Sequence, residues 1–353
     1  MPADQPSFSW TVIATTGERF SDFEPYVAAV NDAGTVAFEG ALRSGGTGVF
    51  TGSGGPLLEE FVCPTHVTRV ISHPDVNSAG HTSFYGDLAD GRQGVFLHQD
   101  GRFQTIAVTD DAFSRIGPLG PTMNDAGGVA FRADRSRGVS GIFFWDGAAI
   151  TTVADTLGGW RQFYGLPVIS ENGVVIFRAD RNDGAQGIYA YEAGSVRPVA
   201  ETGDQFETLA HFPSVDDVGR VAFVATLREG SSVVVEAYED RLAVIDDEGA
   251  FESSRGALLT GRGTVVRIAT PPGGGMGLFA GPDPYEHRIL ALGDALLGSI
   301  IVDFAANPVS VNATGHVAVR ATLADDRQFI LRADPASTSE AARSDAPRYE
   351  ADQ

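Results

Sequence analysis

The chain has no lysine, so all 25 of its basic residues are arginine, and 46 acidic residues leave a formal net charge of −21. A surface of that sign repels phosphates, which argues against nucleic acid and anionic lipid as partners. Cysteine occurs once, as Cys63 in "EEFVCPTH". That excludes an intrachain disulfide and a cysteine-cluster metal site, and a lone cysteine after an apolar run reads as a small packed side chain rather than a nucleophile. No run approaches the roughly 18 apolar residues of a membrane-spanning helix, and no apolar pattern keeps the helical period of about 3.6 residues. The serine-hydrolase elbow, the zinc-protease helix, the phosphate loop and the dinucleotide fingerprint are all missing. Histidines 66, 73, 81, 98, 211, 287 and 316 show no metal-ligand spacing, and "DLADG" and "DRNDG" lack the alternating acids of a calcium loop. No metal and no cofactor are therefore expected.

What the sequence has in quantity is glycine, 43 residues, and proline, 18, spread along the chain without low-complexity runs and set against a hydrophobic fraction of 43%. This suits many short strands joined by turns. One nine-residue phrase recurs: "VNDAGTVAF" at 30–38, "VNSAGHTSF" at 76–84 and "MNDAGGVAF" at 123–131. Its turn glycine stands at Gly34, Gly80, Gly127, Gly173, Gly219, Gly263 and Gly315, with spacings of 46, 47, 46, 46, 44 and 52, a period of the length propeller blades have. Four residues before it the position is always apolar. Four after it comes phenylalanine in five repeats (Phe38, Phe84, Phe131, Phe177, Phe223), then Arg267 and Val319; six after it, only glycine or alanine. Fourteen after it glycine returns as Gly48, Gly94, Gly141, Gly187 and Gly277. Asn31, Asn77, Asn124 and Asn312, with Asp216 in repeat five, stand three before the glycine, where such side chains accept main-chain hydrogen bonds and fix a tight turn. The small residue is expected to let neighbouring sheets approach.

Each repeat reads as four strands, for example 213–216, 220–226, 232–237 and 241–246. Fourth strands number six, near 57–62, 103–108, 149–154, 196–201, 242–246 and 287–292, and the seventh repeat stops at "FILRADP" without one. The missing strand is supplied by "TVIATTGE", 11–18, which has the shape of "RPVAETGD", 197–204. The pattern predicts an all-β fold, a seven-bladed β-propeller over 10–334 whose ring is closed by the N-terminal strand completing the last blade. It also predicts an N-terminal extension over 1–9 and a disordered polar tail over 335–353. The opening "MPADQPSFSW" has neither a basic n-region nor an apolar h-region, so a cytoplasmic location is expected.

"NDAGTVAF" and "NDAGGVAF" resemble the signature of the NxxGxxAF tandem-repeat family, bacterial proteins often anchored at the surface. The likeness runs over roughly 10–334, strict in repeats one and three, loose elsewhere, and departed from in "LTGRGTVVR" and "VNATGHVAV". It implies a repeat scaffold and no particular activity.

Short repetitive turns on one face and longer, dissimilar connections on the other point to the second as the functional face. Those connections, 17–27, 63–73, 109–120, 155–166, 202–212, 247–257 and 293–307, are expected to be loops around the central channel. At their ends, seven or eight residues before the glycine, stand Tyr26, His73, His211, Arg255 and Asn307, with Tyr164 one place further out and Arg115, Arg161 and Asp303 nearby. Histidine, tyrosine, arginine and aspartate together could supply a base, an acid and an anion clamp. Arg132, Arg135, Arg137, Arg178 and Arg181 form either a local basic patch or cross-sheet partners for aspartates. Two readings follow. One is a monomeric ligand-binding or scaffold protein taking a small molecule, glycan or protein at the channel mouth; the other is a cofactor-independent lyase, cyclase or hydrolase of specialised metabolism with its active site there.

Overall fold

The computed structural model describes residues 8–62, 66–239, 241–245, 249–261 and 263–336. Cys63 and the polar tail beyond Ala336 lie outside them. Seven antiparallel sheets follow one another in chain order, each with its first strand innermost and its fourth outermost, and together they form a seven-bladed β-propeller. In the seventh, Phe8–Thr15 pairs antiparallel with Gln328–Pro335 as the outermost strand, joining the two ends of the chain in one sheet. The outer strand begins at Phe8, two residues before the expected boundary.

The repeat columns have identifiable packing roles. In four blades the phenylalanine of the second strand pairs across the sheet with an aromatic ring of the third: Phe38–Phe50, Phe84–Phe96, Phe131–Phe143 and Phe177–Tyr189, with centroids 5.7, 5.7, 5.6 and 5.7 Å apart. Such rings lie one above another on a single face of the pleat, the stabilising unit of an antiparallel sheet. Glycine in the third strand makes room for them: a Cβ at Gly187 would stand 2.3 Å from the Tyr189 ring, and one at Gly94 2.4 Å from that of Phe96. The small residue six after the turn glycine works differently from expectation. A Cβ at Gly40 would meet the Phe20 ring at 2.9 Å and one at Gly86 the Val67 side chain at 2.6 Å, so this position clears the first strand of its own blade rather than the neighbouring sheet. In repeat six Arg267 replaces the phenylalanine and is 1% exposed, with its guanidinium over the Phe251 ring at 5.5 Å.

The turn asparagines do two jobs. Their Oδ1 atoms accept main-chain N–H groups of their own turns, at 2.9 Å from Thr35 and 3.0 Å from His81. Their amide groups reach around the ring: Asn312 donates to the Asn31 carbonyl at 2.7 Å, Asn31 to that of Asn77 at 2.7 Å, Asn77 to that of Asn124 at 3.5 Å and Asn124 to that of Ser170 at 3.3 Å. The next position adds a second girdle, in which Asp32, Asp125 and Glu171 accept N–H groups from Ala313, Ser78 and Asp125. Both girdles cross the junction of blades seven and one, so the ring is closed at its axis as well as at its rim.

The first strands depart from the expected layout. Segments read as loops begin as strands, Phe20–Asp22, Val67–Val70, Phe113–Ile116 and Phe206–Leu209; the chain then leaves the sheet and returns as Ala29–Val30, Asp75–Val76, Thr122–Met123 and Ser214–Val215. Blades four and six keep one strand but slip register, between Tyr164 and Val168 and between Ser254 and Gly256. Blade seven interrupts it with a short 3-10 turn at Pro308–Ser310. Pro74, Pro121 and Pro213, each six residues before the turn glycine, stand just before the return point in blades two, three and five, where a residue that cannot donate to a ladder interrupts the pairing; Pro167, at the same place in blade four, lies within the register slip of Trp160–Ile169. Blades one, two, three, five and seven therefore release a few residues between the two parts of the strand, while blades four and six only bulge there.

Candidate ligand-binding site

The released residues, with strand residues of blade six, line a half-open chamber of about 200 Å³ on the propeller axis. Its wall is built from six blades: Pro25, Tyr26 and Val27 from the first, His73 from the second, Leu119 from the third, Phe212 from the fifth, Arg255, Gly256, Leu258 and Ile268 from the sixth, and Ala306, Asn307 and Pro308 from the seventh. The surface is chiefly apolar with a few polar groups, the usual make-up of a small-molecule site. Blade four contributes indirectly. Gly165, with φ 59°, lies so close to blade five that a Cβ would stand 1.9 Å from the His211 carbonyl oxygen.

His73 is 3% exposed. Its Nδ1 lies 3.2 Å from the Pro74 carbonyl, which places the ring proton there, and burial lowers its pKa to about 4. The ring is thus neutral, and its Nε2, an acceptor in this tautomer, is enclosed and has no hydrogen-bond partner among the described residues. The strand break is held by Ser72, whose Oγ donates to the His73 carbonyl at 2.7 Å and accepts the Tyr85 N–H at 2.8 Å. Gly120 backs the imidazole: a Cβ there would stand 2.5 Å from Nε2. Leu119 holds φ at 78°, a region costly for a side chain of its bulk.

Beside the chamber a groove of about 500 Å³ runs across blades four, five and six. Tyr164, His211, Thr208, Thr226, Ser232 and Ser254 line it, and Phe212 and Arg255 belong to both cavities. The Tyr164 ring lies between two cationic or potentially cationic groups, stacked on His211 at 4.6 Å and 22° and covered by the Arg178 guanidinium at 5.0 Å. The Tyr164 hydroxyl donates to Asp180 Oδ2 at 3.0 Å, and burial followed by this carboxylate raises the phenol's pKa. Burial and the nearby Arg178 lower that of His211. Arg178, 2% exposed, is fully engaged by Asp180, Gln186 and the carbonyls of Ala179 and Leu209.

The eight candidate residues therefore separate. His73, Arg255 and Asn307 meet in the chamber, and Tyr164, His211 and Arg255 in the groove. Asn307 already caps the 3-10 turn, accepting the Val309 N–H at 3.0 Å. Arg115, Arg161 and Asp303 line neither cavity; they pair with Asp134 at 3.9 Å, Asp180 at 2.8 Å and Arg320 at 3.3 Å. Of the arginines offered either as a basic patch or as partners of aspartates, Arg178 pairs with Asp180 in its own strand, and Arg181 with Asp183 in the following turn and with Glu201 of the fourth strand, so these two are matched by acids. The sequence reading did not single out Leu119 or Phe212, although both occupy the same repeat column as Tyr26 and His73.

The opposite end of the axis holds a smaller hollow of about 110 Å³ rimmed by Asp32, Asp125, Glu171 and Asp217. Burial and mutual repulsion raise the pKa values of Glu171 and Asp217, but three of the four carboxylates already serve the second girdle. Among the described residues no group of three or more histidine, cysteine, aspartate or glutamate side chains is placed to hold a metal ion, and no helix is long and apolar enough to cross a membrane.

No family model matches the chain, and no curated protein matches it. Solved propellers do. An oligogalacturonate lyase in complex with manganese aligns over 94% of this chain and 99% of its own at 11% identity with a TM-score of 0.59. The oligogalacturonate lyase of Vibrio parahaemolyticus aligns over 93% and 98% at 11% identity with a TM-score of 0.54. A prolyl endopeptidase aligns over 88% of this chain and 50% of its own at 10% identity, also with a TM-score of 0.54. At these identities the likeness is one of fold.

Proposed function

We propose that this propeller is a binding protein that holds part of a small molecule in the axial chamber. The observation carrying this reading is the wall itself: six blades converge on one small, chiefly apolar chamber that gathers Tyr26, His73, Arg255 and Asn307 as its few polar groups, the make-up of a small-molecule site. The strained Leu119 in the same wall supports it, since such strain concentrates at ligand clamps. A monomeric, cytoplasmic bacterial protein of the NxxGxxAF repeat type fits the sequence best. The test is to equilibrate the full chain with metabolite extract, recover bound species by rapid gel filtration and identify them by mass spectrometry. A species retained by the natural protein and lost on His73→Phe substitution supports the proposal; equal retention by both proteins refutes it.

A second reading, a cofactor-independent lyase, cyclase or hydrolase, is favoured by Tyr164. Its protonated phenol, fixed on Asp180 beside His211 at the edge of the groove, is suited to donate a proton. Turnover of an extract component that disappears in Tyr164→Phe while binding persists would decide for the enzyme.

A further inference from the structure

Several other arginines are committed. Arg178 is held by Asp180, Arg220 by Asp216 at 2.6 Å, Arg320 by Glu24 at 2.9 Å and Arg332 by Asp334 at 2.5 Å. Arg255 differs. Its guanidinium is exposed, its side-chain contact is the Met276 sulfur at 3.7 Å, and no carboxylate pairs with it among the described residues. It stands where the apolar chamber opens into the polar groove, and it is the one charged residue lining both.

Size constrains what can lie inward of it. A chamber of about 200 Å³ is slightly larger than the roughly 150 Å³ cavity that accepts benzene in an engineered protein, so it fits one six-membered ring or a branched aliphatic body of similar bulk, and little more. Leu258, Ile268, Phe212 and Leu119 give that body apolar contact. The guanidinium at the lip offers a planar fork of donors matched to a carboxylate. The strongly negative chain opposes an anion at long range, but that repulsion is screened over about 8 Å at physiological ionic strength, whereas Arg255 would act in contact.

We infer that the chamber ligand is a small monocarboxylic acid, its single ring or branched apolar body enclosed beside His73 and its carboxylate paired with Arg255 at the groove. This rests on the chamber reading and narrows it to a chemical class. The test uses benzoate and its neutral isostere benzamide, titrated into the full chain by calorimetry while the His73 imidazole resonance is followed by NMR. Benzoate is expected to move that resonance and to bind at least about tenfold more tightly than benzamide. Arg255→Gln should remove the preference by weakening benzoate alone, and Arg255→Lys should restore part of it. Equal binding of the two probes, unaltered by Arg255→Gln, would overturn the acid assignment while leaving the chamber as a site. Absence of any response at His73 to either probe would overturn both.

Discussion

Asn31 gives its side-chain amide to the main-chain carbonyl of Asn77, 46 residues away and one blade further round, at 2.7 Å. The same side chain accepts the N–H of Thr35, so one residue both makes its turn and fastens its blade to the next. Asn31→Asp keeps the acceptor, loses the donor and sets a carboxylate against a carbonyl oxygen. We expect a loss of about 1–3 kcal/mol, the cost of a buried group left unsatisfied, measured by urea denaturation. Blade five shows how the chain accommodates aspartate here: Asp216 is paired with Arg220, four residues on, at 2.6 Å. Adding Thr35→Arg to Asn31→Asp should therefore recover part of the loss, and no recovery would show that the pairing in blade five does not transfer.

The closing strand invites a direct test. Phe8–Thr15 covers the edge of Gln328–Pro335 and buries Ile13 and Ala14 against blades one and seven. Deleting it should lower the melting temperature and promote aggregation through the exposed edge. A synthetic peptide spanning residues 8–18 should restore the melting temperature when added in excess. Unchanged unfolding of the deletion variant would mean that the strand contributes nothing to closure.

Blade number and ring closure were legible in the sequence because a tight turn, a cross-strand aromatic pair and a glycine beneath it each demand a particular residue, and the demand repeats every 46 or so positions. The chamber was only half legible. Its column, seven and eight residues before the turn glycine, is visible, and Tyr26, His73, Arg255 and Asn307 lie on it. What was hidden is that "VTRV", "FSRI" and "FETL" are strands, because four residues carrying two exposed polar side chains look like loop once glycine or proline follows closely. The proline column at 74, 121, 167 and 213 was the available signal for an interruption, a break in blades two, three and five and a register slip in blade four. Whether His211 would face the chamber or the groove could not be read, since that depends on blade four slipping register while blade five breaks.

Glu39 gives a pH prediction. It is 4% exposed, lies near Arg69 of the second blade and Asp22, and its side chain has no hydrogen bond among the described residues; burial, then Asp22, raises its pKa to about 8. A carboxyl whose folded pKa exceeds its unfolded value favours the fold at acid pH, and that contribution is lost as pH rises through the folded value. Asp75, raised by burial to about 7, acts in the same sense, and His73, lowered to about 4, in the opposite sense on the acid side. Glu39→Gln removes one of these dependences. Relative to the natural chain the variant should gain stability between pH 5 and pH 8, by an amount on the order of a few kcal/mol, and the difference should level off above that range. Urea titrations at three pH values measure it; a difference independent of pH would show that Glu39 ionises freely in the folded state.

Leu119 separates stability from binding. Its backbone stands at φ 78°, where a branched side chain costs about 1–2 kcal/mol that glycine does not incur, while its half-buried side chain forms part of the chamber wall. Leu119→Gly relieves the first and forfeits the second. We expect a change in unfolding free energy within about 1 kcal/mol of zero, because backbone relief offsets most of the lost apolar contact. Leu258→Gly, at a wall position 1% exposed and without a positive φ, should by contrast cost several kcal/mol. Benzoate affinity should nonetheless fall at least about fivefold in Leu119→Gly, since the ring loses the contact that the strained backbone holds in place. A variant that is strongly destabilised, or one that binds as well as the natural chain, would show that the conformation of Leu119 serves the scaffold and not the ligand.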